Sequence, residues 1–416
     1  MRSVERIMLF LLLLLASGFE QGFLAEPTVG GSSEGQPGIQ VLFGLMYLVL
    51  FLFLIRKYRK TALFLIQKEK WTFLICCWVL ASALWSVEPG ATIRRSIALV
   101  GTSLAGLYIG IRFEPKQQLK MITLVIGLGA IASLVAGLLF PSIGVTSDGF
   151  WGGIYHNKNT LGRMMALGAV CFSILALGQR RLRVGRIAMV VLCCVLLWLS
   201  KSATAVVVCL LMFAILPLRK VLFLRTRSLA AAMVAGGVAM TAIVIFTVNY
   251  VDQILDALGR TSSLTGRIPL WQFVISDIGD KPILGYGFSA FWDSWEGQRV
   301  SDAVAWDVAV PHAHNGFLEM WLGIGLIGLA LVIISLARNF LFAVRAARAH
   351  REIDQAWPLL LLAFTLLYNL TESSLLGINS ILWIAFIANS FWLVRTAEEE
   401  KYAEVPQEFP EHAYSS

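Results

Sequence analysis

Between residues 262 and 318 the chain reads SSLTGRIPLWQFVISDIGDKPILGYGFSAFWDSWEGQRVSDAVAWDVAVPHAHNGFL. This is the longest stretch of the sequence that is too polar to lie in a membrane, and apolar segments flank it on both sides. It contains Arg267 and a pair of histidines, His312 and His314. We therefore place this stretch at the centre of the fold and expect the flanking segments to present it at one surface of a bilayer.

The composition indicates a membrane protein. The chain has 416 residues, of which 57% are hydrophobic and only 14% are charged, whereas soluble domains carry about 25% charged residues. The formal net charge of +8 does not require a nucleic-acid partner, because basic residues are common in the loops between membrane spans. The six cysteines all lie in apolar runs, which favours helix packing over a disulfide framework or a metal site.

Apolar segments long enough to cross a bilayer as helices recur along the whole chain. They predict an all-α integral membrane protein with about twelve transmembrane helices and one large outer loop between spans 9 and 10. The expected spans are 6–24, 39–55, 71–85, 93–111, 119–140, 160–178, 185–200, 202–218, 228–250, 315–336, 356–372 and 378–395. The first span also resembles a signal peptide, with a basic start and a short apolar core. Whether or not it is cleaved, the segment that follows it lies outside.

The chain thus divides into spans 1 to 9 (1–250), the large loop (251–314), spans 10 to 12 (315–396) and an acidic, disordered tail (397–416). With the N-terminus inside, most of the 34 Lys and Arg residues fall on the inner side, as the positive-inside rule requires. The outer basic residues are then Arg94, Arg95, Lys158, Arg163, Lys201, Arg260, Arg267, Lys281 and Arg299. Positive charge is disfavoured there, so these residues are candidates for function, with snorkelling to the interface as the alternative.

Polar side chains gather in four outer segments next to span ends. They are LWSVEPGATIRRS with Arg94 and Arg95, GGIYHNKNTLG with His156, Lys158 and Asn159, SKSATA with Lys201, and the large loop itself. Arg binds phosphate oxygens through a planar fork, and Lys binds them as a point charge. Several such groups together suit a diphosphate, whose charge must be stabilised as a bond to it breaks.

Three roles are open for His312 and His314: a metal site with His156, structural hydrogen bonding, and proton transfer. The short H-x-H spacing has no acidic partner at a recognisable distance along the chain, so no metal is expected. A histidine accepts a proton from an attacking hydroxyl group at neutral pH. His314 is the favoured base, because it directly precedes Asn315 and the next span, where helix packing can hold its ring.

The aromatic segment ILGYGFSAFWDSW contains Tyr286 and Trp292. Its rings suit stacking on sugar faces, and the alternative is an interfacial aromatic belt. The sequence shows no P-loop, no Ser-His-Asp order and no Rossmann glycine pattern. An enzyme that uses a soluble nucleotide is therefore disfavoured.

Taken together, these motifs resemble the O-antigen ligase and Wzy-type polymerase superfamily. The matching features, from about Trp85 to Trp383, are WSVEP, GGIYHNKNTLG, SKSATA, LTGR followed by Trp271, ILGYGFSAFW, and HNGFLE at the start of a span. GIYHNKN and GYGFSAFW resemble the exopolysaccharide polymerase branch more than the lipopolysaccharide ligases. The matching order and topology make the resemblance far more specific than any single motif.

The resemblance implies a metal-independent glycosyltransferase of the bacterial inner membrane that needs no cofactor. Its donor would be an oligosaccharide on undecaprenyl diphosphate at the periplasmic face, where a sugar hydroxyl attacks the anomeric carbon and the lipid diphosphate leaves. In the family pattern His314 is the base and Arg267 stabilises the diphosphate. Lys201 stands at the position of the family's other essential arginine, and it keeps the charge but loses the bidentate fork.

The residues expected to bind substrate are Arg94, Arg95, His156, Lys158, Asn159, Tyr286, Trp292, His312 and Asn315. A flippase and a chain-length regulator are the expected protein partners. Both termini are expected in the cytoplasm, with the N-terminus outside if the first span is cleaved.

Two other interpretations remain besides a polymerase that joins repeat units into exopolysaccharide. A ligase that moves finished glycan onto lipid A core or protein shares the same donor chemistry. Transporters also have about twelve spans, but they place polar groups near the bilayer midplane, whereas here the polar groups gather at the outer span ends. A non-catalytic scaffold of an export complex is the weakest alternative.

Overall fold

The computed structural model describes residues 2–19, 37–146, 149–178, 182–218, 267–304, 310–349 and 352–403. Regular structure in these ranges is helical, apart from one isolated bridge between Val145 and Trp151. The expected span 228–250, the first part of the large loop with Arg260, and the end of the tail lie outside the described residues.

Most of the helices follow the expected spans. The α-helices of the described ranges are α1 (Arg2–Ala16), α2 (Pro37–Lys57), α3 (Arg59–Lys68), α4 (Lys70–Ala81), α5 (Pro89–Arg112), α6 (Pro115–Leu139), α7 (Pro141–Gly144), α8 (Lys158–Gly178), α9 (Arg183–Leu199), α10 (Ala203–Leu218), α11 (Arg267–Asp280), α12 (Trp295–Val304), α13 (Gly316–Ala349), α14 (Trp357–Asn369) and α15 (Ile381–Ala403). Every expected span in the described ranges overlaps one of them. The short helices α3, α7, α11 and α12 were not expected, and α15 continues into the segment expected to be a disordered tail.

Four helices, α2, α6, α8 and α13, are long and apolar enough to cross a membrane. Two further apolar helices are shorter, Lys70–Leu84 and Ala203–Pro217. The described structure is therefore consistent with an integral membrane protein. The number of twelve spans stays a prediction.

Local sequence explains how the helices begin and how closely they pack. Pro89 and Pro115 stand at the starts of α5 and α6, where the missing N–H group would have no helical partner. In the middle of α5, Gly106 and Gly110 allow α15 to approach closely. A Cβ atom at Gly106 would lie 2.6 Å from Cβ of Ile387. These two helices form one of the most closely packed pairs in the described structure.

The helix α13 is broken at Gly325, which has a φ of 68° and a ψ of −177°. The aromatic segment lies along this break, because the amides of Tyr286 and Gly287 donate to the carbonyls of Leu322 and Gly323 at 2.9 Å each. A Cβ atom at Gly325 would overlap the carbonyl oxygen of Ile283. Glycine is therefore required at residue 325, and the break ties the large loop to the helix that begins directly after His314.

The described part of the large loop packs around an apolar core of its own. This core contains Leu270, Val274, Phe291, Val300 and Leu322, which come from α11, the aromatic segment, α12 and α13. The loop is thus a folded layer at one end of the helical bundle. Because α11 begins at Arg267 and α13 begins at Gly316, this layer positions both Arg267 and His314.

Candidate active site

A buried carboxylate, Glu372, joins three of the predicted site residues. Its Oε1 accepts hydrogen bonds from Nη2 of Arg267 at 2.7 Å and from Nδ2 of Asn159 at 3.2 Å. Its Oε2 lies 3.2 Å from Nδ1 of His314. Glu372 is only 4% exposed and lies in the connection between α14 and α15. The fold therefore brings the GGIYHNKNTLG segment and both ends of the large loop to one acidic group.

The charge state of Glu372 follows from its neighbours. Burial alone raises the pKa of this carboxyl, but the hydrogen bond from His314 and the electrostatic interactions with the two imidazole rings and with Arg267 outweigh burial and lower the pKa to about 2. Glu372 is therefore an anion at neutral pH. An anion can only accept at the contact with His314, so Nδ1 of His314 carries the proton and Nε2 carries the lone pair.

Arg267 is held by hydrogen bonds on both sides of its guanidinium. Its Nη1 donates to the carbonyl of Thr371 at 2.7 Å and contacts Oγ1 of Thr204 at 3.5 Å, while Nη2 pairs with Glu372. The side chain is almost fully buried. Arg267 is thus a rigid positive charge with both terminal nitrogens engaged.

His314 is positioned by the start of α13. It has a φ of 49°, a conformation that costs energy for residues other than glycine and is often found at functional sites. The next residue, Asn315, caps the helix, because its Oδ1 accepts from the amides of Phe317 and Leu318 at 3.0 and 3.1 Å. Nδ2 of Asn315 donates to the carbonyl of Leu370 at 3.1 Å. Asn315 therefore links the His314 turn to the segment that carries Glu372.

His312 has a hydrogen-bonding role in the structure. Its Nδ1 accepts from the backbone amide of His314 at 3.1 Å, and the centres of the two rings are 4.1 Å apart. Burial, together with electrostatic repulsion from His314, Arg267 and Arg163, lowers the pKa of His312 to about 3, although Glu372 opposes the shift. His312 is therefore neutral at physiological pH and supports the turn that carries His314.

The ligand atoms of His312, His314 and Glu372 all lie within 4.8 Å of one another, which is close enough for a metal ion. However, some of the atoms that would bind the metal already have other partners. Nδ1 of His312 accepts a backbone N–H, and Glu372 pairs with Arg267, whose charge would repel a cation. His156, the third histidine considered for a metal site, is exposed at the end of the turn Gly153–Tyr155 and is not part of this group. The arrangement favours proton transfer over metal binding.

The two lysines predicted to act in the site lie at its surface. Nζ of Lys201 is 5.0 Å from the centre of the Trp198 ring, and the residue is exposed. Nζ of Lys158 is 4.1 Å from the centre of the Phe150 ring. Next to Lys201, the hydroxyl of Ser202 donates to Oδ1 of Asn159 at 3.2 Å. The SKSATA turn therefore contacts the Glu372 site through Ser202 and Thr204, with Lys201 at the outer edge.

The LWSVEPGATIRRS segment contacts the aromatic segment. Arg95 forms an ion pair with Asp293 at 2.6 Å, and its guanidinium also donates to the carbonyl of Ser289. The side chain of Arg94 is exposed. Arg95 therefore holds the aromatic segment against α5, and neither arginine is among the groups that contact Glu372.

The aromatic residues predicted to bind sugar are part of the packed layer. Tyr286 is 3% exposed and donates its hydroxyl to the carbonyl of Asp277 at 3.0 Å. Nε1 of Trp292 donates to both oxygens of Glu319, at 3.0 and 3.1 Å. Glu319 also accepts from the amide of Ala313, the residue between the two histidines, at 2.7 Å. Trp292 thus supports the histidine turn through Glu319.

Two acidic residues, Glu372 and Glu319, were not among the predicted site residues. The signal for Glu372 was present, because it is an ionisable residue at the outer end of an otherwise apolar expected span, and such residues are usually functional. Glu319 lies one turn into the span that begins after His314, where an acidic group is unusual for the same reason. What the sequence did not show is which basic and histidine side chains these carboxylates meet.

Comparison with known proteins agrees with the motifs. Residues 187–333 match the family model described as O-Antigen ligase. Over 297 residues the chain is 31% identical to the exopolysaccharide production protein ExoQ of Rhizobium meliloti (strain 1021), which corresponds to 65% of this chain and 64% of that protein. Over 79 residues it is 33% identical to a Rickettsia conorii protein (strain ATCC VR-613 / Malish 7) provisionally named a polysaccharide ligase, covering 18% of this chain and 19% of that protein.

The chain thus spans less than two thirds of the length of either relative. The match to the family model includes the SKSATA turn, the large loop and the start of α13, because residues 187–333 contain all three. Residues 187–333 therefore resemble the O-antigen ligase family, and the resemblance expected from the motifs is confirmed.

Proposed function

We propose that this protein is a polysaccharide polymerase that joins undecaprenyl-diphosphate-linked oligosaccharide repeat units at the periplasmic face of the inner membrane. The observation that carries the proposal is the contact of Glu372 with both His314 and Arg267. It combines a histidine oriented for proton transfer with a buried positive charge. The similarity to ExoQ, whose name refers to exopolysaccharide production, supports the choice of product.

His314 is the proposed general base. Glu372 holds the Nδ1–H group, so Nε2 is the nitrogen that takes the proton of the acceptor hydroxyl. As the proton arrives, the ring becomes an imidazolium, and the adjacent carboxylate stabilises that charge in the same way as the acid of a catalytic triad. The acceptor oxygen then forms a bond to the anomeric carbon of the donor sugar.

The leaving group is the lipid diphosphate. The bond between the anomeric carbon and the diphosphate oxygen breaks, and both of its electrons stay on the diphosphate. Arg267 supplies a preorganised positive charge at the site, and Lys201 and Lys158 supply charge at its outer edge. No metal or cofactor takes part in this reaction.

The proposed topology places the Glu372 site on the periplasmic side, with about twelve spans and both termini in the cytoplasm. The four long apolar helices support a multi-pass arrangement. Repeat units made in the cytoplasm would then need a flippase to reach the site. A chain-length regulator is a further proposed partner.

A ligase is the second candidate, because the family model is described as O-Antigen ligase and the Rickettsia conorii relative is named as a ligase. Both reactions use the same donor and differ only in the acceptor. A transporter is disfavoured, because the Glu372 site is formed by helix ends and connections, whereas transporters bind substrate near the bilayer midplane.

The test is a reaction with the purified protein in liposomes and a lipid-linked repeat unit from the same organism. A polymerase converts this single substrate into a ladder of longer lipid-linked glycans. A ligase leaves the repeat unit unchanged until lipid A core or an acceptor protein is added. Flux of the repeat unit across the liposome membrane without any glycan product would contradict both proposals.

A further inference from the structure

Arg163 is a partly buried cation beside the Glu372 site. It lies in α8 four residues after Asn159, so the two side chains lie on the same face of the helix. Asn159 donates to Glu372, and its backbone carbonyl accepts from the hydroxyl of Tyr368 at 3.3 Å. The guanidinium carbon of Arg163 is 5.7 Å from the centre of the Tyr368 ring. Arg163 therefore forms part of the wall of this site.

The guanidinium of Arg163 has unused binding capacity. Its Nε is buried, and no described residue accepts a hydrogen bond from it. Among the described residues, no Asp or Glu forms an ion pair with Arg163 either. A buried donor without an acceptor and a charge without a counter-charge are both unfavourable. Such a group indicates that an anionic acceptor is supplied by a ligand.

The neighbouring cations differ from Arg163. Both terminal nitrogens of Arg267 are engaged by Thr371, Thr204 and Glu372, so its charge is already matched by a carboxylate. Lys201 is exposed beside Trp198, and an ammonium group cannot form a bidentate contact. Within the described part of the site, the guanidinium of Arg163 therefore lacks an anionic partner, unlike that of Arg267.

We propose that Arg163 is a further diphosphate-binding residue, whose guanidinium fork binds phosphate oxygens of the lipid-linked donor. This assignment rests on the proposed function, which supplies a diphosphate as the anion. A guanidinium and a phosphate match in geometry and form two parallel hydrogen bonds. Binding would satisfy the buried Nε and neutralise the uncompensated charge in one step.

The experiment measures binding of undecaprenyl diphosphate without sugar to the purified full-length protein in nanodiscs of neutral lipid. Phosphatidylglycerol is measured in parallel, because a phospholipid headgroup offers similar phosphate oxygens. The variants are Arg163→Gln, Arg163→Lys and the control Lys281→Gln. Lys281 is exposed and lies on the same proposed side of the membrane, so its replacement removes an equal charge without touching the site.

We expect Arg163→Gln to weaken undecaprenyl diphosphate binding by about 10- to 100-fold, which is the effect of losing a charge-assisted hydrogen-bond pair. Arg163→Lys should fall between Arg163→Gln and the unmodified protein, and Lys281→Gln should stay within about twofold. The KM for the lipid-linked repeat unit should rise in the same order. Phosphatidylglycerol binding should change little in any variant.

Three results would overturn the assignment. The first is unchanged affinity of a folded Arg163→Gln variant for undecaprenyl diphosphate. The second is equal weakening of phosphatidylglycerol binding, which would make the site a phospholipid headgroup site. The third applies if Arg163→Gln shows no thermal unfolding transition and is therefore not folded. In that case, an Arg163→Lys variant that binds undecaprenyl diphosphate as tightly as the unmodified protein would overturn the assignment. Diphosphate binding through Arg163 without any polymer product would instead contradict the proposed function and leave this assignment intact.

Discussion

Oε2 of Glu372 lies 3.2 Å from Nδ1 of His314, although 58 residues separate the two in the chain. The contact fixes which nitrogen of His314 carries the proton, and the same carboxylate fixes Arg267 through its other oxygen. Glu372 is therefore a positioning residue for both the proposed base and the proposed cation. The proposed chemistry depends on this one buried acid as much as on the two residues that it holds.

Replacing Glu372 with Gln should remove most of the activity. The amide cannot stabilise an imidazolium as a carboxylate does, and it leaves Arg267 without a counter-charge, so we expect kcat to fall by about 10²- to 10⁴-fold. The measurement is the rate of ladder formation from a lipid-linked repeat unit. Glu88→Gln is the matched control, because Glu88 is exposed and precedes α5. A Glu372→Gln variant with the kcat of the unmodified protein would refute the positioning role.

The two histidines should respond differently to substitution. His314→Ala removes the proposed base, and we expect the rate to fall by about 10²- to 10⁴-fold. His312→Asn keeps an acceptor for the amide of His314, so we expect a loss of only about tenfold or less. The measurement is kcat at pH 7 for both variants in parallel. Full activity of His314→Ala would show that another group takes the proton.

Stability should fall on acidification. The pKa of His312 is about 3 in the folded chain, below the ordinary value of 6.5, so the unfolded chain binds more protons between these pH values. The pKa of Glu372 is also lowered, to about 2, which extends the same trend below pH 4.5. The contributions of His312 and Glu372 to the free energy of unfolding should therefore be constant above about pH 7 and decrease steadily toward pH 4.

The His312→Asn variant provides the control for this pH dependence. Without the buried neutral imidazole, the unfolding midpoint should decrease less between pH 6.5 and pH 4.5 than in the unmodified protein. Below pH 4.5 both proteins should also lose stability because Glu372 is protonated in the unfolded chain, and the difference between the two proteins should continue to grow down to about pH 3. Parallel curves for the two proteins over the whole range would mean that His312 is not buried in its neutral form.

Replacing Gly325 with Ala should destabilise the protein. The alanine would have to adopt a positive φ, and its Cβ atom would overlap the carbonyl of Ile283. We expect the free energy of unfolding to decrease by about 2–4 kcal/mol. Gly44→Ala in α2 is the control, because a Cβ atom there meets no other atom within 4 Å and alanine favours helix.

The readout for these two glycine variants is the unfolding midpoint in detergent, together with trypsin cleavage of the segment 281–304. Since the aromatic segment is hydrogen-bonded along the break at Gly325, the segment should become easier to cleave in Gly325→Ala alone. Equal stability of the two variants would show that the break in α13 does not require glycine at residue 325.

Several features of this protein were determined by the sequence alone. Apolar composition and the placement of Lys and Arg predicted a helical membrane protein, and each expected span in the described ranges overlaps a helix. The same reasoning selected Arg267, His314 and Asn159, which the structure brings together. Spans can be predicted from the sequence because span length and residue type act locally, within one segment of the chain.

Only the tertiary structure decided which span ends meet. Glu372 reaches Arg267 across 105 residues of sequence and Asn159 across 213, and no local pattern encodes such pairings. The same applies to Tyr286 and Trp292, whose type suits either sugar binding or the membrane interface. Packing against α11 and α13 buries Tyr286 and partly buries Trp292. Lys201 and Arg163 are both predicted to be cations on the outer side, and the sequence does not distinguish between them. Packing of α8 against the SKSATA turn leaves the lysine at the surface and the arginine beside Glu372, where its charge can meet a bound anion.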